Sequence, residues 1–125
     1  MENKRREYSV RKKRIHIDED EDNIIYSIKN KGIARVMHFP KYSKDLHISE
    51  IKVQKRFRGK GIGTQLLNEI IKDADNKYTD VSIFPDTSKG SVYKERLIKY
   101  YSKFGFIIKE IDVDVDEMVR PPKYV

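Results

Sequence analysis

The chain has 125 residues, the length of a single core, and its 27 Lys and Arg against 20 Asp and Glu leave a formal net charge of +7. Ile, Val, Leu and Phe supply 34 residues, above the roughly 20% below which high charge reads as disorder, so one folded domain over residues 1–125 is expected. The lack of cysteine excludes disulfide scaffolds, thiol nucleophiles and Cys-ligated metal sites, and the unpaired spacing of His16, His38 and His47 argues against a His-based one. No apolar run is long enough to span a membrane and the N-terminus lacks the apolar core of a signal peptide, so a cytoplasmic protein with an anionic partner is expected.

Tyr8, Val10, Ile15 and Ile17 alternate in part and predict a first strand, with the basic block Arg11 to Arg14 inside it. The acidic run Asp18 to Asp22 reads as a solvated turn. Asn23–Lys29 and Gly32–Phe39 are β-rich and joined by Asn30-Lys31-Gly32, a hairpin signal because Asn and Gly tolerate positive φ. Pro40 ends the second arm, and Leu46, Ile48, Ile51 and Val53 mark a fourth strand over Asp45–Gln54.

The period then changes. Ile62, Leu66, Leu67, Ile70, Ile71 and Ala74 share one face of a helix. Asp80–Phe84 is a short strand closed by Pro85. A second helix is predicted from Ser91 to Phe104, with Val92, Leu97, Ile98, Tyr101 and Phe104 inward and Gly105 as a left-handed cap. Strands Phe106–Ile111 and Glu117–Arg120 come next, and Pro121 and Pro122 stop the last. The fold class is therefore α+β, a mixed, mostly antiparallel sheet packed by two main helices. The strand–helix–strand unit is expected to be a right-handed parallel pair.

The segment that carries chemistry is Val53-Gln54-Lys55-Arg56-Phe57-Arg58-Gly59-Lys60-Gly61-Ile62-Gly63-Thr64. A strand enters a loop with Gly at alternate positions, and the loop opens a helix. Such a loop lets successive N–H groups converge, and the helix N-terminus adds positive charge, which together make a pyrophosphate cradle. Arg56, Arg58 and Lys60 surround it. The Walker loop needs Gly-Lys-Ser/Thr at its end, and the dinucleotide fingerprint needs another glycine spacing in a parallel unit, so neither fits.

Arg58-Gly59-Lys60-Gly61-Ile62-Gly63 resembles motif A of the GCN5-related N-acetyltransferases (GNAT), and Arg56-x-x-Gly59-x-Gly61 reads in a second register. Leu97 to Phe106, with Tyr101 ahead of Lys103-Phe104-Gly105-Phe106, resembles the family's motif B. The resemblance covers about Leu46 to Arg120. It implies acetyl-CoA as cofactor and acetyl transfer to a primary amine. It implies that the backbone from Arg58 to Gly63, with Thr64 at the edge, holds the CoA pyrophosphate. Ile51, Lys52 and Val53 would pair with pantetheine where the central parallel strands splay apart. Tyr101 matches the family's general acid, with Tyr100 as its neighbour and substitute.

Two departures stand out. Where the family often has a pantetheine-binding Asn, this chain has Lys94, and Ser91 or Tyr93 are the substitutes. Where the family places two helices between its first strands, only Asp18 to Asn23 intervenes, so the first-lobe helices are shortened or missing and the acceptor side is open. The chain is in this similar to the small GNAT-like proteins of phages, as is its ending Met118-Val119-Arg120-Pro121. For the base that takes the amine proton, Glu50 is a candidate, with Asp45 and His47 as rivals. The acceptor is a small amine or a protein lysine, and the family resemblance leaves monomer and homodimer both open. The basic clusters Lys4-Arg5-Arg6 and Arg11 to Arg14 support a competing reading as a nucleic-acid- or nucleoprotein-binding module. A CoA-binding GNAT fold without catalysis is the third.

Overall fold

The computed structural model describes residues 6–10, 15–38, 45–85, 90–112 and 115–123. The alternating first half becomes five strands: β1 (Arg6–Val10), β2 (Ile15–Glu19), β3 (Asn23–Ile28), β4 (Gly32–His38) and β5 (Leu46–Val53). Then come α1 (Ile62–Lys77), β6 (Val81–Ile83), α2 (Ser91–Ser102), β7 (Ile107–Asp112) and β8 (Val115–Arg120). They form one sheet in the order β1-β2-β3-β4-β5-β6-β8-β7. The mostly antiparallel mixed sheet with two helices is the architecture expected, and β5 with β6 is its parallel pair.

The expected first strand is in fact two. β1 and β2 pair antiparallel, with Tyr8 opposite Ile17 and Val10 opposite Ile15. The reason is a phase change: apolar residues sit at even positions before the basic block and at odd positions after it. A continuous strand would split them between faces, whereas a hairpin places them opposite one another. Arg11 to Arg14, like Lys4, Arg5 and Pro40, lie outside the described residues.

The acidic run is a turn only in part: Asp18 and Glu19 are the last residues of β2, paired with Ile25 and Ile24, and residues 20–22 make the turn. The Asp20 carboxylate accepts from the backbone N–H of Asp22 and Asn23, at 2.9 and 2.8 Å. It joins β2 to β3 directly, with no intervening helix. The β3–β4 turn places Asn30 at φ 61°, and Lys31 N–H donates to Ile28 O at 2.9 Å.

Both helices cover one face of the sheet. α1 lays Ile62, Leu66, Leu67, Ile70 and Ala74 on the buried residues Ile24, Tyr26, Ile28, Ala34 and Val36. Tyr26 donates to Asp73 of α1 at 2.6 Å. α2 joins the same side, where the Tyr100 and Thr64 hydroxyls share a hydrogen bond of 2.6 Å. The opposite face presents His16, Ile25, Ile33, Arg35, Met37, Glu50 and Lys52 exposed or half-buried, with no helix over it among the described residues.

Two irregularities of β5 open the sheet at its centre. The register slips between Arg35 and Val36, which pair with Glu50 and Ile48, so Ser49 is a bulge. Inward residues are even before it (Leu46, Ile48) and odd after it (Ile51, Val53). β6 pairs with β5 only from Leu46 to Ile48. From Ser49 onward the two parallel strands part, which is the splay expected of this sheet.

Candidate active site

The loop after β5 makes one 3₁₀ turn at Lys55–Phe57 and then delivers the chain to α1. Gly59 and Gly61 lie at φ 77° and 81°, the left-handed region, and an added Cβ at either would point into open space. Gly63, expected to help the loop turn, does not: it sits inside α1. A Cβ there would meet Val53 Cγ2 at 3.7 Å, so it marks the close seating of the helix on β5.

The N-terminus of α1 has no side-chain cap and no acidic residue in its first turn. The N–H groups of Ile62, Gly63 and Thr64 therefore end a helix dipole without a counter-charge from those positions. This fits a pyrophosphate. Arg58 folds back, its Nε donating to Val53 O at 3.2 Å, which keeps its charge at the mouth of the splay.

The splay exposes backbone. Gln54 N–H donates to Lys31 O at 2.8 Å, toward β4. Polar groups of successive strand residues point to alternate sides, so those of Lys52 also face β4. Those of Ile51 and Val53 face the gap, where the Val53 carbonyl already accepts from Arg58, so the Ile51 groups and the Val53 N–H are the ones a pantetheine amide would meet. Lys52 sends its side chain to the bare face, exposed.

A cavity of about 320 Å³ occupies the gap, between residues 48–51 of β5 and Ile83 and Phe84 at the end of β6. Tyr93, Leu97 and Tyr101, one stripe of α2, close it. Tyr101 is buried. Its ring makes edge contacts with Tyr100 at 5.3 Å and Phe106 at 5.8 Å. Burial first, with Tyr100 and Tyr93 adding to it, pushes its hydroxyl up to about 12, so it keeps its proton throughout the physiological range. Val92, expected inward, is 68% exposed, because the inward stripe of α2 runs through Tyr93 instead.

The remaining candidates scatter. Lys94 is half-buried on α2, and Ser91 opens that helix behind Gly90, its side chain outside the described set. Thr64 bonds to Tyr100, which ties both hydroxyls to the α1–α2 contact. Arg56 and Lys60 lie around the Phe57 ring, apart from the gap. Glu50 lines the cavity but pairs with Arg35 at 3.4 Å on the exposed side of the sheet. Asp45 is exposed. His47 is half-buried, its Nδ1 2.9 Å from Ser82 Oγ and its ring 5.2 Å from that of Phe84. Burial lowers its pKa and Glu117 partly opposes this. Phe84, Leu97 and Ile83 carry no site signal in the sequence, since each is also what a core strand or helix would carry.

Residues 11–108 match the family model for the acetyltransferase (GNAT) domain. No curated protein matches the sequence. Among solved structures, a GNAT family acetyltransferase from Elizabethkingia anophelis with acetyl-CoA bound superposes with a TM-score of 0.58 at 22% identity, covering 80% of this chain and 76% of that one. Arabidopsis thaliana Naa50, in complex with the bisubstrate analogue CoA-Ac-MVNAL, gives 0.58 at 21%, covering 81% and 73%. The anti-CRISPR protein AcrVA5 gives 0.56 at 21%, covering 71% and 88%. At these identities the likeness is one of fold.

Proposed function

Because the chain belongs to the GNAT acetyltransferase family, we propose that it moves an acetyl group from acetyl-CoA to a primary amine by direct transfer. The observation that carries this is one cavity that joins the β5 edge left by β6 after Ile48 to the buried phenol of Tyr101. The uncapped start of α1 follows at the end of the loop that leaves the same strand.

The cofactor, when bound, supplies a thioester activated for attack by an amine. Ile62, Gly63 and Thr64 would hold its pyrophosphate through backbone N–H groups, with Arg58 adding charge. Ile51 and Val53 would orient pantetheine as an extra strand fills the gap. Tyr101 holds a proton that an ordinary thiol, with a pKa near 8.5, cannot fully remove. Its role is then to donate a strong hydrogen bond to the leaving sulfur as charge develops there. The amine arrives from the bare side of the sheet. Nothing among the described residues encloses it there, which favours a large acceptor such as a lysine on a protein over a small polyamine.

The test is thiol release from acetyl-CoA across a panel of small amines and lysine-bearing proteins. Amine-dependent release, faster with the proteins, is expected. Binding of acetyl-CoA without turnover on any acceptor would place the chain with the non-catalytic members of the fold.

A further inference from the structure

Three cations from two parts of the chain surround one aromatic ring. Lys31 Nζ lies 5.5 Å from the Phe57 centroid, the Arg56 guanidinium carbon 5.0 Å and Lys60 Nζ 5.7 Å. Lys31 comes from the β3–β4 turn, which Gln54 N–H pins to the start of the loop. None of the three forms an ion pair with a carboxylate among the described residues. The ring quadrupole offsets part of their mutual repulsion, but three like charges so gathered are best satisfied by an anion.

We propose that this cluster is a second phosphate site, which takes the phosphomonoester on the ribose of CoA and so distinguishes CoA from dephospho-CoA. The inference rests on the acetyl-CoA reading of the chain. CoA carries a pyrophosphate and a separate phosphomonoester. The start of α1 and Arg58 suit the first and leave Lys31, Arg56 and Lys60 for the second. A phosphomonoester approaches two negative charges at neutral pH, which matches a cluster rather than a single cation. A groove of about 380 Å³ runs from the same turn, with Lys29, Lys31, Asn30, Lys52 and Gln54 on its walls. It gives the adjoining sugar and base somewhere polar to lie. A nucleic-acid strand fits less well. Phe57 is half-buried against the core and its surroundings are taken by cations, so it offers little stacking surface to a base.

Calorimetric titration of the wild type, Lys31→Met and Arg56→Met with CoA and with dephospho-CoA decides this, once unliganded melting shows that the variants fold. The wild type is expected to bind CoA about tenfold more tightly, the scale of one charge-assisted phosphate contact. Each substitution should erase most of that ratio by weakening CoA alone. Equal binding of the two ligands by the wild type, or equal weakening of both in the variants, would overturn the assignment. Binding of neither would remove the CoA reading itself, and this site with it. Retention of a single-stranded oligonucleotide that Lys31→Met abolishes, with CoA binding unchanged, would assign the cluster to nucleic acid instead.

Discussion

Tyr101→Phe is expected to lower kcat by about 10²–10³, the scale of losing one donor to developing charge, while acetyl-CoA still binds. The substitution removes one oxygen and nothing else. The ring contacts with Tyr100 and Phe106 that hold Tyr101 in place persist in Phe, so the cavity keeps its shape. What is lost is the one buried phenol on its wall. Burial pushes that phenol up to about 12, so the wild-type rate shows no downturn from loss of its proton below about pH 10. The same shift sets a sign for stability. The folded value lies above the ordinary 10, so the protein bears no penalty from this group below about pH 10. It loses stability as pH rises from there through about 12. An unchanged kcat in Tyr101→Phe would remove Tyr101 from the chemistry.

The second large effect is on stability. Arg120→Met is expected to cost about 3–5 kcal/mol, the scale of breaking a buried ion pair by removing one partner. Arg120 is 3% exposed. It grips Asp75 of α1 through both terminal nitrogens, at 2.7 and 3.1 Å, and donates from Nε to Phe104 O at 2.7 Å. One side chain of β8 therefore ties the end of α1 to the turn that ends α2. Its loss leaves the Asp75 carboxylate with only Lys123 N–H among the contacts it now makes. Against a total stability of about 5–15 kcal/mol, this is a large share. The hydrogen bond from Arg120 leads in holding the Asp75 carboxyl below the usual carboxylate range, against an opposing push from burial. The stabilisation is therefore present above an unfolded value near pH 3.9 and is lost as pH falls below it. Urea melts at neutral and acid pH check both claims. A cost below about 1 kcal/mol would mean that the pair behaves like a surface bridge.

The architecture is largely legible in the sequence because helix and strand periods are local signals. The hairpin at Asn30-Lys31-Gly32 and the amphipathic α1 lie where their residues place them. The first strand misleads: its change of phase is visible, but the four basic residues between the halves resemble an exposed stretch of strand as much as a turn. The same kind of phase change at Ser49, from Ile48 to Ile51, carries the bulge. It explains why Glu50 sits with Arg35 on the bare face rather than deep in the gap. The glycine loop and Tyr101 are legible as motifs. The cavity is not, since it exists only where β5 and β6 part, and Phe84 and Leu97 reach it from separate elements. Lys31 carries no local signal at all, because its meaning comes from a turn folded back onto Phe57.

Thermal melting with and without acetyl-CoA, in the wild type and in Gly61→Asp, tests the central claim most directly. Asp tolerates the positive φ of Gly61 better than most residues, so the fold should persist. Its carboxylate would lie where a pyrophosphate must bind. At a hundredfold excess over Kd, acetyl-CoA is expected to add about 2.7 kcal/mol to the wild type, a shift of several degrees, and to leave Gly61→Asp unmoved. A wild-type melting temperature indifferent to acetyl-CoA, or an equal shift in both proteins, would contradict the account.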